Sequence, residues 1–240
     1  MSDGFIEFGF GSEGDALRPP TQRFKAKEGE TYRVSFAWWP GIEEGEPDMT
    51  GDTPKFIGGK RHYIPGVGYV LNKGPEYTKI AGGEQPKMAI ATVVVCWPTD
   101  ANGSLDKARF ASGDFDVKSW VFSQSKYNAL QPINTEFPLG QHDLTIQCTD
   151  TQYQKLSFSP CRENLLRKLA ESSKKAQKDL FGTIYAAVSN VVGSIHEDIA
   201  RDVSLDQIRE KLGSGGNGVA TPVDTGVTED FEGVLDDILE

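Results

Sequence analysis

Between Lys55 and Lys79 the chain reads KFIGGKRHYIPGVGYVLNKGPEYTK, and here residue types and spacing come nearest to a recognisable chemistry. Lys55, Lys60, Arg61, Lys73 and Lys79 face one acid, Glu76, and Phe56, Tyr63, Tyr69 and Tyr77 are interleaved with them. Cations follow a phosphate backbone and aromatic faces stack on bases; sites for single-stranded nucleic acid combine the two. Gly58, Gly59, Pro65, Gly66, Gly68, Gly74 and Pro75 keep the stretch from being a regular helix. It is expected to be a basic, loop-rich island presented by the strands around it. Taken alone, an ordinary solvated loop with half-buried tyrosines accounts for it equally well.

Further basic-aromatic neighbours lie downstream. In DVKSWVFS, strand alternation places Lys118, Trp120 and Phe122 on one face. That row is a groove floor or a barrel interior with an edge lysine. The groove is preferred because burying a lysine is costly. Lys126 with Tyr127, and Tyr153 with Lys155, are adjacent pairs in or beside loops. Trp38 and Trp39 are consecutive on a predicted strand and must point to opposite faces, one into the core and the other as a candidate stacking platform.

Catalytic and metal patterns are missing. There is no GxSxG, HExxH or P-loop. Asp48, Asp52, Asp114 and Asp116 stand in turn-like contexts where aspartate serves local hydrogen bonding. His142 and Cys148 lie six apart with nothing marking a nucleophile. Three histidines and three cysteines show no ligand spacing, and an odd number of cysteines fits reduced thiols in a cytosol. No enzyme activity, cofactor or metal is expected.

The elements that position these residues are read from periodicity. Thr31–Trp39, Lys87–Trp97, Asp116–Ser123, Asp143–Cys148 and Gln154–Phe158 read as strands, the last two as a hairpin; Lys126–Leu130 fits a short helix. KMAIATVVVCW is the strongest and is expected to be central and buried on both faces. Without helices long enough for βαβ crossovers, the core is expected to be a small antiparallel barrel or sandwich, the five-stranded Greek-key barrel with long loops being the OB-fold. After Pro160, apolar residues from Leu165 to Ile199 recur at three- and four-residue steps, an amphipathic helical segment. Ser204-Leu205-Asp206-Gln207 is a capping box that opens a short helix.

The charge is uneven. The formal total is −10, yet residues 21–170 carry 18 bases and 17 acids. Residues 1–20 carry four acids and one base, and residues 213–240 carry seven acids and no base. A negative total therefore leaves an anionic partner open. The expected organisation is a flexible arm (1–20), an OB-fold-like core (21–160), a helical segment (161–212), and a linker with an acidic tail (213–240). No apolar run suits a membrane span, and the N-terminus lacks a signal-peptide pattern, so a cytoplasmic protein is expected.

The order VSFAWWPG, AIATVVVCWP, VKSWVFSQSKYNAL, DLTIQCTDTQYQKLSF, a helical segment, a linker and VLDDILE resembles the single-stranded DNA-binding proteins of T-even-type tailed bacteriophages. The resemblance spans roughly residues 31–240 and rests on order and texture. It implies an OB-fold binding single-stranded DNA with little sequence preference. It also implies a tail that recruits replication, recombination and repair proteins, here through Asp230, Phe231, Leu235, Asp236, Asp237, Ile238 and Leu239. Two features depart from that family: residues 41–86 lack the cysteines of its zinc cluster, and the arm is acidic where the family's is basic and supports cooperative binding. Self-association stays open. A protein-interaction adaptor without nucleic acid is the alternative, and a nuclease a third.

Overall fold

The computed structural model describes residues 23–214, apart from 43–47, 50, 52, 101, 102, 152 and 154. The expected N-terminal arm, and the linker and tail beyond Ser214, lie outside the described residues.

The fold is assembled on β4 (Lys87–Trp97). Its β-branched run favours an extended chain that packs well on both sides of a pleat. From Ala89 onward every residue is buried. Along one edge it pairs antiparallel with β5 (Asp116–Ser123) from Ala89 to Cys96. Along the other it pairs first with β2 (Ile57–Ile64), up to Ala91, and then with β1 (Thr31–Phe36), from Val94. β3 (Gly68–Leu71) extends the sheet beyond β2, and β6 (Leu144–Cys148) with β7 (Leu156–Pro160) extends it beyond β1. The result is a seven-stranded antiparallel sheet of order β3-β2-β4-β1-β6-β7, with β5 on the far edge of β4. The antiparallel β core and the helical segment after it are therefore present. The sheet is not closed, and two of its strands, β2 and β3, come from the stretch expected to be loop.

Each face of β4 has its own core. Ala89, Ala91, Val93, Val95 and Trp97 pack with Val117 and Val121 against the helical segment. That segment is α4 (Leu165–Ala170) followed by α5 (Lys175–Ile199). On α5, Ile184, Val188, Val192, Ile195 and Ile199 are buried, the three- and four-residue steps of a single stripe. Each contributes roughly 1.5–3 kcal/mol on leaving water. On the opposite face, Ile90, Val94 and Cys96 meet Val34, Phe36, Trp120, Phe122, Leu144 and Ile146. α3 (Gln124–Glu136) covers this side with Leu130. Two short helices, α1 (Pro75–Ile80) and α2 (Lys107–Ala111), follow β3 and β4. Ser204 caps α6 (Leu205–Ser214) reciprocally with Gln207, at 3.2 and 2.8 Å, as the capping box requires.

One buried carboxylate ties the layers together. Asp143 is inaccessible to water. It accepts from Arg33 Nε at 2.8 Å, from the Ser35 hydroxyl, and from the Leu165 backbone N–H at the start of α4, at 3.2 Å. Trp97 Nε1 donates to Ser35 Oγ at 2.7 Å. Burial pushes the Asp143 carboxyl up to about 6, against the opposing pull of Arg33 and the hydrogen bonds. Because the folded carboxyl holds its proton more tightly than the unfolded one, stability is expected to fall as pH rises from about 4 to about 6. Asp143→Asn should flatten that segment in urea titrations followed across pH. Asp143→Ala should cost about 3–5 kcal/mol, because it leaves the largely buried Arg33 only its 3.9 Å contact with Glu163. A pH-independent midpoint in the wild type would remove this role.

Candidate nucleic-acid interface

The basic island folds into the β2–β3 hairpin and α1. Pro65 and Gly66 make its turn: Val67 N–H donates to Ile64 O at 2.9 Å, and Gly66 takes φ +78. This is the type II arrangement, with proline first and glycine at the left-handed position.

Alternation along the hairpin divides the island between two faces. Arg61 lies opposite Leu71, Tyr63 opposite Tyr69, and Arg61 also opposite Lys87 of β4. These residues share the α5 side of the sheet. Lys60 is on the other side, opposite Met88. Both are exposed there. Phe56 and Tyr127, half-buried with ring centroids 5.6 Å apart, adjoin that side. Lys55, also exposed, precedes β2, and its Nζ lies 4.9 Å from the centroid of Trp38 of the α5-side core.

On the α5 side the groups form a ladder. Ile199 ends α5, and its carbonyl oxygen accepts from Arg61 Nη1 at 2.8 Å. A cation at a helix C-terminus offsets the partial negative charge of the unpaired carbonyls. The same guanidinium lies 3.9 Å from the centroid of Tyr69, and Tyr69 meets Tyr63 at 5.3 Å. Tyr63 is the outer rung, 58% exposed. It is an aromatic ring held in place from behind with its outer side open to solvent.

Much of the remaining island serves the fold. Arg61 is buried by its contacts with α5 and Tyr69, and so leaves the set of phosphate-binding candidates. Tyr77 is core: it packs with Val203 and Ile208, and its hydroxyl donates to Val203 O at 3.0 Å. His62 is buried beside Asn72 Oδ1 and Thr78 Oγ1. Lys73 pairs with Asp202, which raises its pKa, and Lys79 pairs with Glu76 at 2.7 Å, which lowers that of the acid.

The Lys118-Trp120-Phe122 row shares one face, as alternation requires, but the face is interior. Trp120 is fully buried and Phe122 nearly so, while Lys118 sits at the rim with Asp116 Oδ2 at 3.0 Å. The lysine avoids burial by ending the row, so its presence does not make the row a groove. Trp120 donates through Nε1 to the Tyr153 hydroxyl at 2.6 Å, and buried Lys126 lies 4.9 Å from the Tyr153 centroid. Trp120, Phe122, Lys126 and Tyr153 therefore build the core and offer no base a face. Lys155 is exposed just before β7, at the opposite end of the strand order from β3. Trp38 and Trp39 lie beyond the end of β1 at Phe36, so strand alternation does not govern them; Trp38 belongs to the α5-side core, Trp39 adjoins Leu166, Ile184 and Val188 of that side, and both are buried, so neither is a platform. Trp97 is buried too. The tail residues Asp230, Phe231, Leu235, Asp236, Asp237, Ile238 and Leu239 lie outside the described residues.

Of the original candidates, the hairpin brings together Tyr63 and Tyr69 on one face and places Lys60 on the other; Lys55 lies before β2, against Trp38. Sequence reasoning missed Lys87 and Met88; the signal was the β2–β4 register, which could not be read without recognising β2. Among the described residues no group of three or more His, Cys, Asp or Glu is placed to hold a metal ion. Burial pushes the Cys96 thiol up to about 12, so it stays protonated at neutral pH. Comparisons with protein-family models, curated proteins and solved structures found no match.

The division of the island into supporting and exposed groups is measurable. Tyr77→Phe should cost about 1–3 kcal/mol by leaving the Val203 carbonyl unpaired. Each kcal/mol should lower the melting temperature by about 2–4 °C in a chain of this size. Tyr63→Ala should leave the melting temperature nearly unchanged. Equal losses from both substitutions would contradict the placement of Tyr63.

Proposed function

We propose that the protein binds single-stranded DNA, with little sequence preference, through the β2–β3 hairpin and the adjoining start of β4. The observation that carries this reading is the exposed Tyr63 ring, supported by Tyr69 and Arg61, with Lys87 of β4 on the same face of the sheet and Lys60 of β2 on the other. A base gains roughly 1–3 kcal/mol by stacking on such a ring, whatever its identity. Lysines on a flexible stem neutralise phosphates without reading sequence. The open seven-stranded sheet is, in this reading, a divergent OB-like platform. The protein has no catalytic role in it and works in the replication, recombination and repair of a tailed phage's DNA, in the host cytoplasm. The acidic tail would recruit partner proteins and compete with DNA for the cations. The order of elements shared with the T-even-type proteins supports this. A protein-interaction adaptor is the second reading, favoured by the number of island residues that serve the fold.

Because all four tryptophans are buried, binding is best followed by fluorescence anisotropy of a labelled oligo-dT. Affinity should fall with salt, with a log–log slope of roughly −0.7 per phosphate neutralised. Tyr63→Ala should weaken binding by about 1–3 kcal/mol. A salt-independent affinity, or a stronger affinity for duplex, would dismiss this mode. No binding at any salt would favour the adaptor.

Truncation after Ser214 should tighten oligo-dT binding, most at low salt, where screening of the competing acids is weakest. Unchanged affinity at low salt would show that the tail does not compete.

A further inference from the structure

β7 (Leu156–Pro160) ends the strand order, paired with β6 on one side and with no described strand on the other. Its inward residues are unfinished core. Leu156, Phe158 and Pro160 alternate with exposed Ser157 and Ser159 but are only half-buried. Phe158 belongs to the aromatic core, its ring 6.2 Å from that of Trp120 on β5. A strand edge with no described partner strand and half-covered apolar side chains is a template for another strand.

We propose that residues 5–10 of this chain, FIEFGF, pair with the outer edge of β7 as an additional strand. The described chain begins beside the required place. Arg23 bridges to Ser119 on β5, Phe24 N–H donates to Ser119 O at 2.7 Å, and the Phe24 ring packs on Trp120 at 5.5 Å. The same indole thus touches the point where the arm leaves and the strand it would reach. The 13 steps from Phe10 to Arg23 span at most roughly 45 Å when extended, ample for a crossing between neighbouring edges.

The sequence of the segment fits the edge. Ile6, Phe8 and Phe10 alternate, so one face of the added strand would be wholly apolar and cover Leu156 and Phe158; Phe5, Glu7 and Gly9 face outward. Charge fits as well. Residues 1–20 carry four acids and one base, and β7 is flanked by exposed Lys155 and Arg162. Lys155, far from the hairpin in strand order, thereby acquires a partner in the acidic arm.

The test is amide hydrogen exchange on the full chain, with Phe8→Asp as the variant, since position 8 lies outside the described fold. Residues 5–10 should exchange roughly tenfold or more slowly than in the free peptide, together with added protection along residues 156–160. Phe8→Asp should lose both protections and keep that of β4. Exchange of residues 5–10 at the free-peptide rate in the intact chain would overturn the proposal. So would protection of the arm with no change along β7 in the variant. Protection that rises with protein concentration, with a dimer in sedimentation equilibrium, would assign the strand to a neighbouring copy and overturn pairing within the chain.

Discussion

The constraint on which the structure depends is the burial of β4 on both faces. A strand covered on one side presents one apolar face and leaves the other to water. A strand covered on both sides needs two separate cores, and the chain provides them in order. The strands before and after β4 supply an aromatic layer around Phe36, Trp120 and Phe122. Only after the sheet is complete does the chain provide α5, whose aliphatic stripe closes the second layer. Asp143 joins the two: one carboxylate holds β1 through Arg33 and Ser35, and α4 through the Leu165 N–H. A charge at that depth is tolerated because an ion pair and several donors meet it.

The same constraint governs which charged groups are left for a ligand. Wherever α5 must end against the sheet, its last carbonyls need donors. Arg61 supplies one, and in doing so is drawn out of solvent and under Tyr69. A basic residue in a basic stretch thus becomes part of the scaffold, and its effect on Tyr63 is indirect: it fixes the ring behind the exposed one. Tyr77 follows the same logic, its hydroxyl satisfying a carbonyl in the chain that leads into α6.

What could be read from the sequence follows from how local each signal is. β4, β5 and the hairpin β6–β7 are carried by β-branched and aromatic runs, and the apolar steps of α5 and the Ser204–Gln207 box are visible without tertiary knowledge. β2 was not legible, because IGGKRHYI has two glycines and alternating polar residues, a composition depleted in strands. Its strand state comes from the register with β4, where Gly58 fits against Ile90 and Gly59 lies under Leu71 and Ile199. A Cβ at Gly59 would stand 3.2 Å from Leu71 Cδ1, so the small residue that reads as loop is what lets the layers approach. Alternation opposes Trp38 to Trp39 only if the strand runs on to them; it stops at Phe36, and both rings are buried on the side of α4 and α5, which requires knowing that α5 lies over the sheet.

The electrostatic consequence is a molecule whose net charge says little about its surface. Seven of the acids lie in residues 213–240, while the described sheet places Lys60 of β2 and Lys87 of β4 on its opposite faces. Charges beyond a Debye length, about 8 Å at physiological ionic strength, are largely screened from each other. A strand of phosphates at the hairpin would therefore feel the nearby lysines far more than the total of −10. Two cations on different faces do not form a groove floor. They suit a flexible anionic chain that can bend around a strand edge better than a rigid duplex, whose phosphates keep fixed spacing. In the proposed reading, the placement of the lysines, more than the number of basic residues, would favour a single strand.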